Sequence, residues 1–109
     1  MRYTVTQGFH VGLAHDELEP HLDSVLETLM ELGAEDADIG GSLASGEIEI
    51  SLTVDAGSLR DAQKTAAEVI AEAIRLAGGT TAEGNGASPT RSQGPSFDLR
   101  SVAAELAGT

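Results

Sequence analysis

Three histidines, His10, His15 and His21, stand near the start of the chain among Asp16, Glu17, Glu19 and Asp23. Imidazole nitrogens and carboxylate oxygens together can hold Zn²⁺ or Ni²⁺. A histidine beside a carboxylate can also move a proton near neutral pH. Glu17 and His21 are four residues apart, so on a helix they share a face. The remaining spacing argues against a built site. His10 falls at the end of an alternating segment, His15 in the connection that follows and His21 within a helical pattern, with no recurring ligand interval. His10, His15, His21 and Glu17 are therefore weak candidates for metal ligands, and exposed polar side chains near a helix start are the simpler reading.

Other reactive groups are scarcer still. The chain has no cysteine, and its single lysine, Lys64, lies within a helical pattern. No Ser or Lys is placed as a nucleophile. The pairs Gly40-Gly41 and Gly78-Gly79 lack the spacing of a nucleotide-binding fingerprint. Neither a catalytic residue nor a cofactor is expected, and the chain reads as a non-enzyme.

Charge is the strongest compositional fact. Eighteen acids against six Lys and Arg leave a net charge of −12 across 109 residues. Phosphate backbones and anionic membranes are bound through Lys and Arg, so neither nucleic acid nor a membrane surface is an expected partner. The charge serves solubility first, and a basic protein is the specific partner it would suit. Absent cysteines, a polar N-terminus and no apolar run long enough to span a bilayer point to a cytoplasmic location. Aromatics are limited to Tyr3, Phe9 and Phe97, so the core must be aliphatic.

The elements follow from periodicity. Residues 3–11 alternate, with Tyr3, Val5, Phe9 and Val11 on one side and Gln7 as a polar intruder among them; this is a half-buried strand. Asp16 and Glu19 form a capping-box pattern, after which Leu18, Leu22, Val25, Leu26, Leu29 and Leu32 recur at helical spacing until Gly33. Residues 37–43 and 47–54 alternate again around the turn Ala44-Ser45-Gly46, which makes a hairpin. Ser58 with Asp61 opens a second helix, whose face runs through Leu59, Ala62, Ala66, Val69, Ile70, Ala73, Ile74 and Ala77 and which Gly78-Gly79 closes.

Residues 80–96 are rich in Gly, Ser, Thr and Pro and read as a flexible linker, with a short strand conceivable at 80–83. Beyond it, Phe97 precedes Asp98 as N-cap, and Leu99, Val102, Ala103 and Leu106 give about two turns of amphipathic helix. Such a helix is marginal alone and must dock, so Phe97, Leu99, Val102 and Leu106 form the expected partner-binding stripe. The expected division is a domain over 1–79, a linker over 80–96 and a terminal helix over 97–109.

The order β-α-β-β-α is that of an α+β, ferredoxin-like split βαβ domain, with two helices on one face of an antiparallel sheet and the fourth strand short or absent. The stretch LETLMELGAEDADIGGSLASGEIEISLTVDA, followed by an Ala-rich helix ending in AGG, resembles small uncharacterised ferredoxin-like proteins of high-GC Gram-positive bacteria. That resemblance implies the fold and no activity. Alternation gives the uncovered sheet face Thr4, Thr6, Gly8, His10, Asp38, Gly40, Ser42, Glu47, Glu49, Ser51 and Thr53. These are not the aromatics an RNA-recognition sheet stacks on bases, nor the lining of an apolar catalytic cavity.

A missing fourth strand would leave the outer edge of the first strand open to another chain. The leading expectation is thus a non-enzymatic interaction or regulatory module, homodimeric, acting through a sheet edge and its terminal helix. A small-molecule- or metal-binding domain or minor enzyme near His10, His15 and His21 is the alternative. An acidic inhibitor or immunity-type protein is the third.

Overall fold

A computed structural model describes residues 1–12, 15–78, 80–82 and 96–107. It contains β1 (Arg2–Val11), α1 (His15–Glu31), β2 (Glu35–Ser42), β3 (Glu47–Asp55), α2 (Leu59–Leu76), β4 (Thr80–Ala82) and β5 (Ser96–Leu106). The sheet order is β2-β3-β1-β5-β4. Strands β2, β3, β1 and β5 are antiparallel neighbours, and β4 adds a short parallel pairing at the far edge. The succession β-α-β-β-α-β over the antiparallel part is compatible with the ferredoxin-like plan.

The fourth antiparallel strand is thus present and long, which corrects the expectation that it was short or absent. It occupies the span read as a terminal helix. β5 pairs along the whole of β1, from Tyr3 opposite Leu106 to Val11 opposite Phe97. The ladder continues one bond further, from Ala107 N–H to Arg2 O at 2.9 Å. Two turns of isolated helix leave most end groups unpaired, whereas this ladder satisfies an eleven-residue strand and covers the edge of β1. The reading of 80–96 as a linker also changes at both ends. Thr80–Ala82 is strand and Ser96 opens β5, while 83–95 lie outside the described residues.

The core fills the space between the sheet and its two helices. Leu18, Leu22, Val25 and Leu29 of α1 and Ala62, Ala66, Ile70, Ala73 and Ile74 of α2 pack on Tyr3, Val5, Phe9, Val11, Ile48, Ile50, Leu52 and Phe97. Ala62, Ala66 and Ala73 keep much of the inner face of α2 small beside Ile70 and Ile74, which lets the helix axis approach the strands. Ser58 caps α2, its hydroxyl accepting from Asp61 N–H at 3.2 Å. In α1 the start is two residues earlier than the pattern suggests. His15 is its first residue and Asp16 lies in the first turn, where a carboxylate still meets the positive end of the helix dipole.

Register confirms the sorting of faces. Val5–Leu52, Phe9–Ile48 and Ile39–Ile50 are paired on the helix side, and Thr4–Thr53, Thr6–Ser51, Gly40–Glu49 and His10–Glu47 on the other. Gln7, opposite Ile50, is buried on the helix side, as its place among apolar residues requires.

Candidate functional site

Pairing across four strands lines up side chains in rows on the sheet face away from the helices. One row runs Ser42, Glu47, His10, Asp98 from β2 to β5; the next runs Gly40, Glu49, Gly8, Ser101. In the first, His10 Nδ1 lies 3.1 Å from Glu47 Oε2. An ionised carboxylate can only accept, so Nδ1–H donates to it. Both side chains are substantially exposed.

The second row is hollow. Gly8 and Gly40 flank Glu49 without side chains, and a Cβ on Gly8 would stand 2.5 Å from Ser101 Oγ. Around Gly8 the register of β5 slips by one: Gly8 faces Ser101 but Phe9 faces Leu99, so Arg100 is the extra residue of a β-bulge. Bulges twist a strand and re-aim a side chain. Here Arg100 lines a depression of about 310 Å³ together with Gly8, Ser101, Ser42, Glu47 and Glu49.

A second concavity lies on the helix side, between α1 and β2. It measures about 200 Å³, with Leu22, Leu26, Ile39 and Leu43 among its walls and Glu19 and Asp23 also lining it. Gly41 belongs to it as well. Its φ of +118° is a conformation that side chains rarely adopt, and a Cβ there would run into the backbone of Glu47 and Ile48. The cleft adjoins β2, which terminates the sheet. Among the described residues no strand pairs with its outer edge.

No family model matches the chain. Nor does any curated protein or any solved structure. Function must therefore be argued from the geometry alone.

The three histidines separate. His10 is on the open face with Glu47, whereas His21 is on the helix side, its ring 5.7 Å from that of Phe97. The sheet stands between them. His15 begins α1, and its side chain is outside what the structure describes. Glu17 is exposed. Among the described residues no group of three or more His, Asp or Glu side chains converges on a point that could hold a metal. Burial holds His21 below the ordinary imidazole range, and its Nε2 is buried without a hydrogen-bond partner among the described residues.

The expected partner-binding stripe also divides. Phe97 is fully buried and Leu99 packs partly against the core, while Val102 and Leu106 are 41% and 56% exposed on the helix side of β5. Phe97 meets Phe9 edge to face inside the core. The notion of an open β1 edge fails, since β5 covers it. Sequence reasoning missed Arg100 and Ser101, which a helix would have placed differently, and missed Glu19 and Asp23 as the acidic lining of a cleft. Among the described residues no helix is long and apolar enough to cross a membrane.

Proposed function

We propose that this chain is a non-enzymatic protein-interaction module that takes an extended, basic segment of a partner protein onto the outer edge of β2. One observation carries the reading: an edge strand, β2, whose outer side is unpaired among the described residues, lies beside an apolar cleft lined by Glu19 and Asp23. An added strand gains main-chain hydrogen bonds, and every second side chain of it can be received by a pocket beside the edge. In this geometry the cleft between α1 and β2 receives apolar side chains on Leu22, Leu26, Ile39 and Leu43. The two carboxylates then select for Lys or Arg next to them.

Charge also chooses against self-association through this edge. β2 carries Glu35, Asp36 and Asp38, and each copy has a net charge of −12. Acids on an edge strand repel acidic strands and tolerate basic ones. A basic heterologous partner therefore fits better than a second copy of the chain.

The test is selection from a random peptide library on the full-length protein, followed by mapping of backbone amide shifts. Selected sequences should alternate apolar and basic residues and perturb β2 together with the cleft-facing turns of α1. Binding should weaken at least tenfold in Glu19→Lys/Asp23→Lys and fall with salt. Binders that ignore that charge reversal, or that map away from β2, would overturn the reading.

A further inference from the structure

The depression on the opposite sheet face has a different chemistry, and its case is independent of strand addition on β2. Its floor is backbone, because Gly8 lies between Glu49 on one side and Ser101 on the other. Its banks carry opposite charges. Glu49 belongs to β3, and Arg100 is the additional residue that the bulge inserts in β5. Among the described residues neither has an ion-pair partner, whereas Met1 pairs with Asp55, Arg2 with Glu35 and Asp36, His10 with Glu47, and Arg75 with Glu72. Arg100 and Glu49 line one hollow without closing on each other, beside a Glu47 that His10 already holds, and its volume of about 310 Å³ lies at the lower end of small-molecule sites.

We infer that this hollow binds a small zwitterion of the free α-amino acid class, its carboxylate on Arg100 and its ammonium on Glu49, over the bare backbone of Gly8. The guanidinium presents paired N–H donors that match a carboxylate in plane. The Glu49 carboxylate accepts from the ammonium, and Ser101 Oγ, beside Gly8, is positioned to add a neutral contact. Glu47, tied to His10, does not need to move. A ligand with only one of the two charges would leave the other bank unsatisfied, so recognition requires both groups within a single molecule.

Titration calorimetry of the full chain at low salt tests this directly, with a panel of free amino acids as probes and their N-acetyl and amide derivatives as one-charge controls. Saturable binding of at least one free amino acid is expected, with both of its derivatives weaker by on the order of tenfold or more. Glu49→Gln and Arg100→Gln should each reduce affinity by a similar factor while leaving thermal unfolding unchanged. Gly8→Ala should also abolish binding. Because that change could disturb the β1–β5 pairing, the two exposed-charge variants are decisive. No heat with any free amino acid at millimolar concentration, or binding indifferent to both glutamine variants, would overturn the inference. Glu19→Lys/Asp23→Lys should leave this binding intact, so a failure here is separable from a failure of peptide binding at β2.

Discussion

The rings of Phe9 and Phe97 meet edge to face, 5.8 Å between centroids at an interplanar angle of 79°. Phe9 lies in the first strand and Phe97 near the start of the last, so this contact joins those two strands under the helices. His21 of α1 closes the third side, its ring tilted against Phe97. Aromatic pairs of this geometry contribute beyond the area they bury. The C-terminal strand is accordingly part of the folded core.

Phe97→Ala removes a fully buried ring and should cost about 3–5 kcal/mol. Truncation before residue 96 should abolish cooperative folding, since it strips the ladder from β1 and the ring from the core. Urea denaturation of both variants checks this. A truncated chain that unfolds with unchanged midpoint and slope would show that β5 does not belong to the domain.

His21 predicts an acid-sensitive stability. Burial lowers its pKa from 6.5, so the unfolded chain takes up the proton more readily than the folded one. The contribution is complete above pH 6.5 and is lost as pH falls from there towards the folded-state value. His21→Phe should flatten this part of the profile and remove a buried nitrogen that has no partner among the described residues, a gain of up to about 1 kcal/mol at pH 5. Thermal melts of both proteins between pH 5 and 8 read the difference.

Ser58→Ala deletes the acceptor that caps α2 and should cost about 1 kcal/mol. Glu47→Gln, by contrast, breaks an ion pair between exposed partners and should change stability by less than about 1 kcal/mol. Measured side by side, the pair distinguishes a structural cap from a surface contact. A larger loss at Glu47 than at Ser58 would contradict the geometry.

Most of this fold is legible in the sequence because its strands alternate cleanly and its helices carry capping residues and one apolar stripe. The segment from Phe97 to Leu106 is the instructive exception. Its helix-side residues are Phe97, Leu99, Val102, Ala104 and Leu106, spaced 2, 3, 2 and 2. A single bulge residue turns an alternating pattern into one containing the 99, 102, 106 interval of a helix. The capping resemblance of Asp98 reinforces the wrong period. Pairing with β1 decides the matter, and no local pattern reports it.

The candidate sites were hidden for related reasons. Alternation correctly places Gly8, His10, Glu47 and Glu49 on one face, and correctly denies that face an aromatic platform. It cannot show that Arg100 joins them, because that depends on the bulge. Nor can it show that α1 and β2 border a cleft, or that β2 rather than β1 is the exposed edge. Proximity in sequence, meanwhile, overstates the histidines, which the sheet divides.

Amide hydrogen exchange along Glu35–Ser42, measured with and without a selected basic peptide, addresses the proposed role of the β2 edge most directly. Outward-facing amides of β2 should exchange quickly alone and become protected when the peptide is bound, with β4 and β5 unaffected. Protection confined to another surface, or an unchanged β2 under saturating peptide, would contradict it.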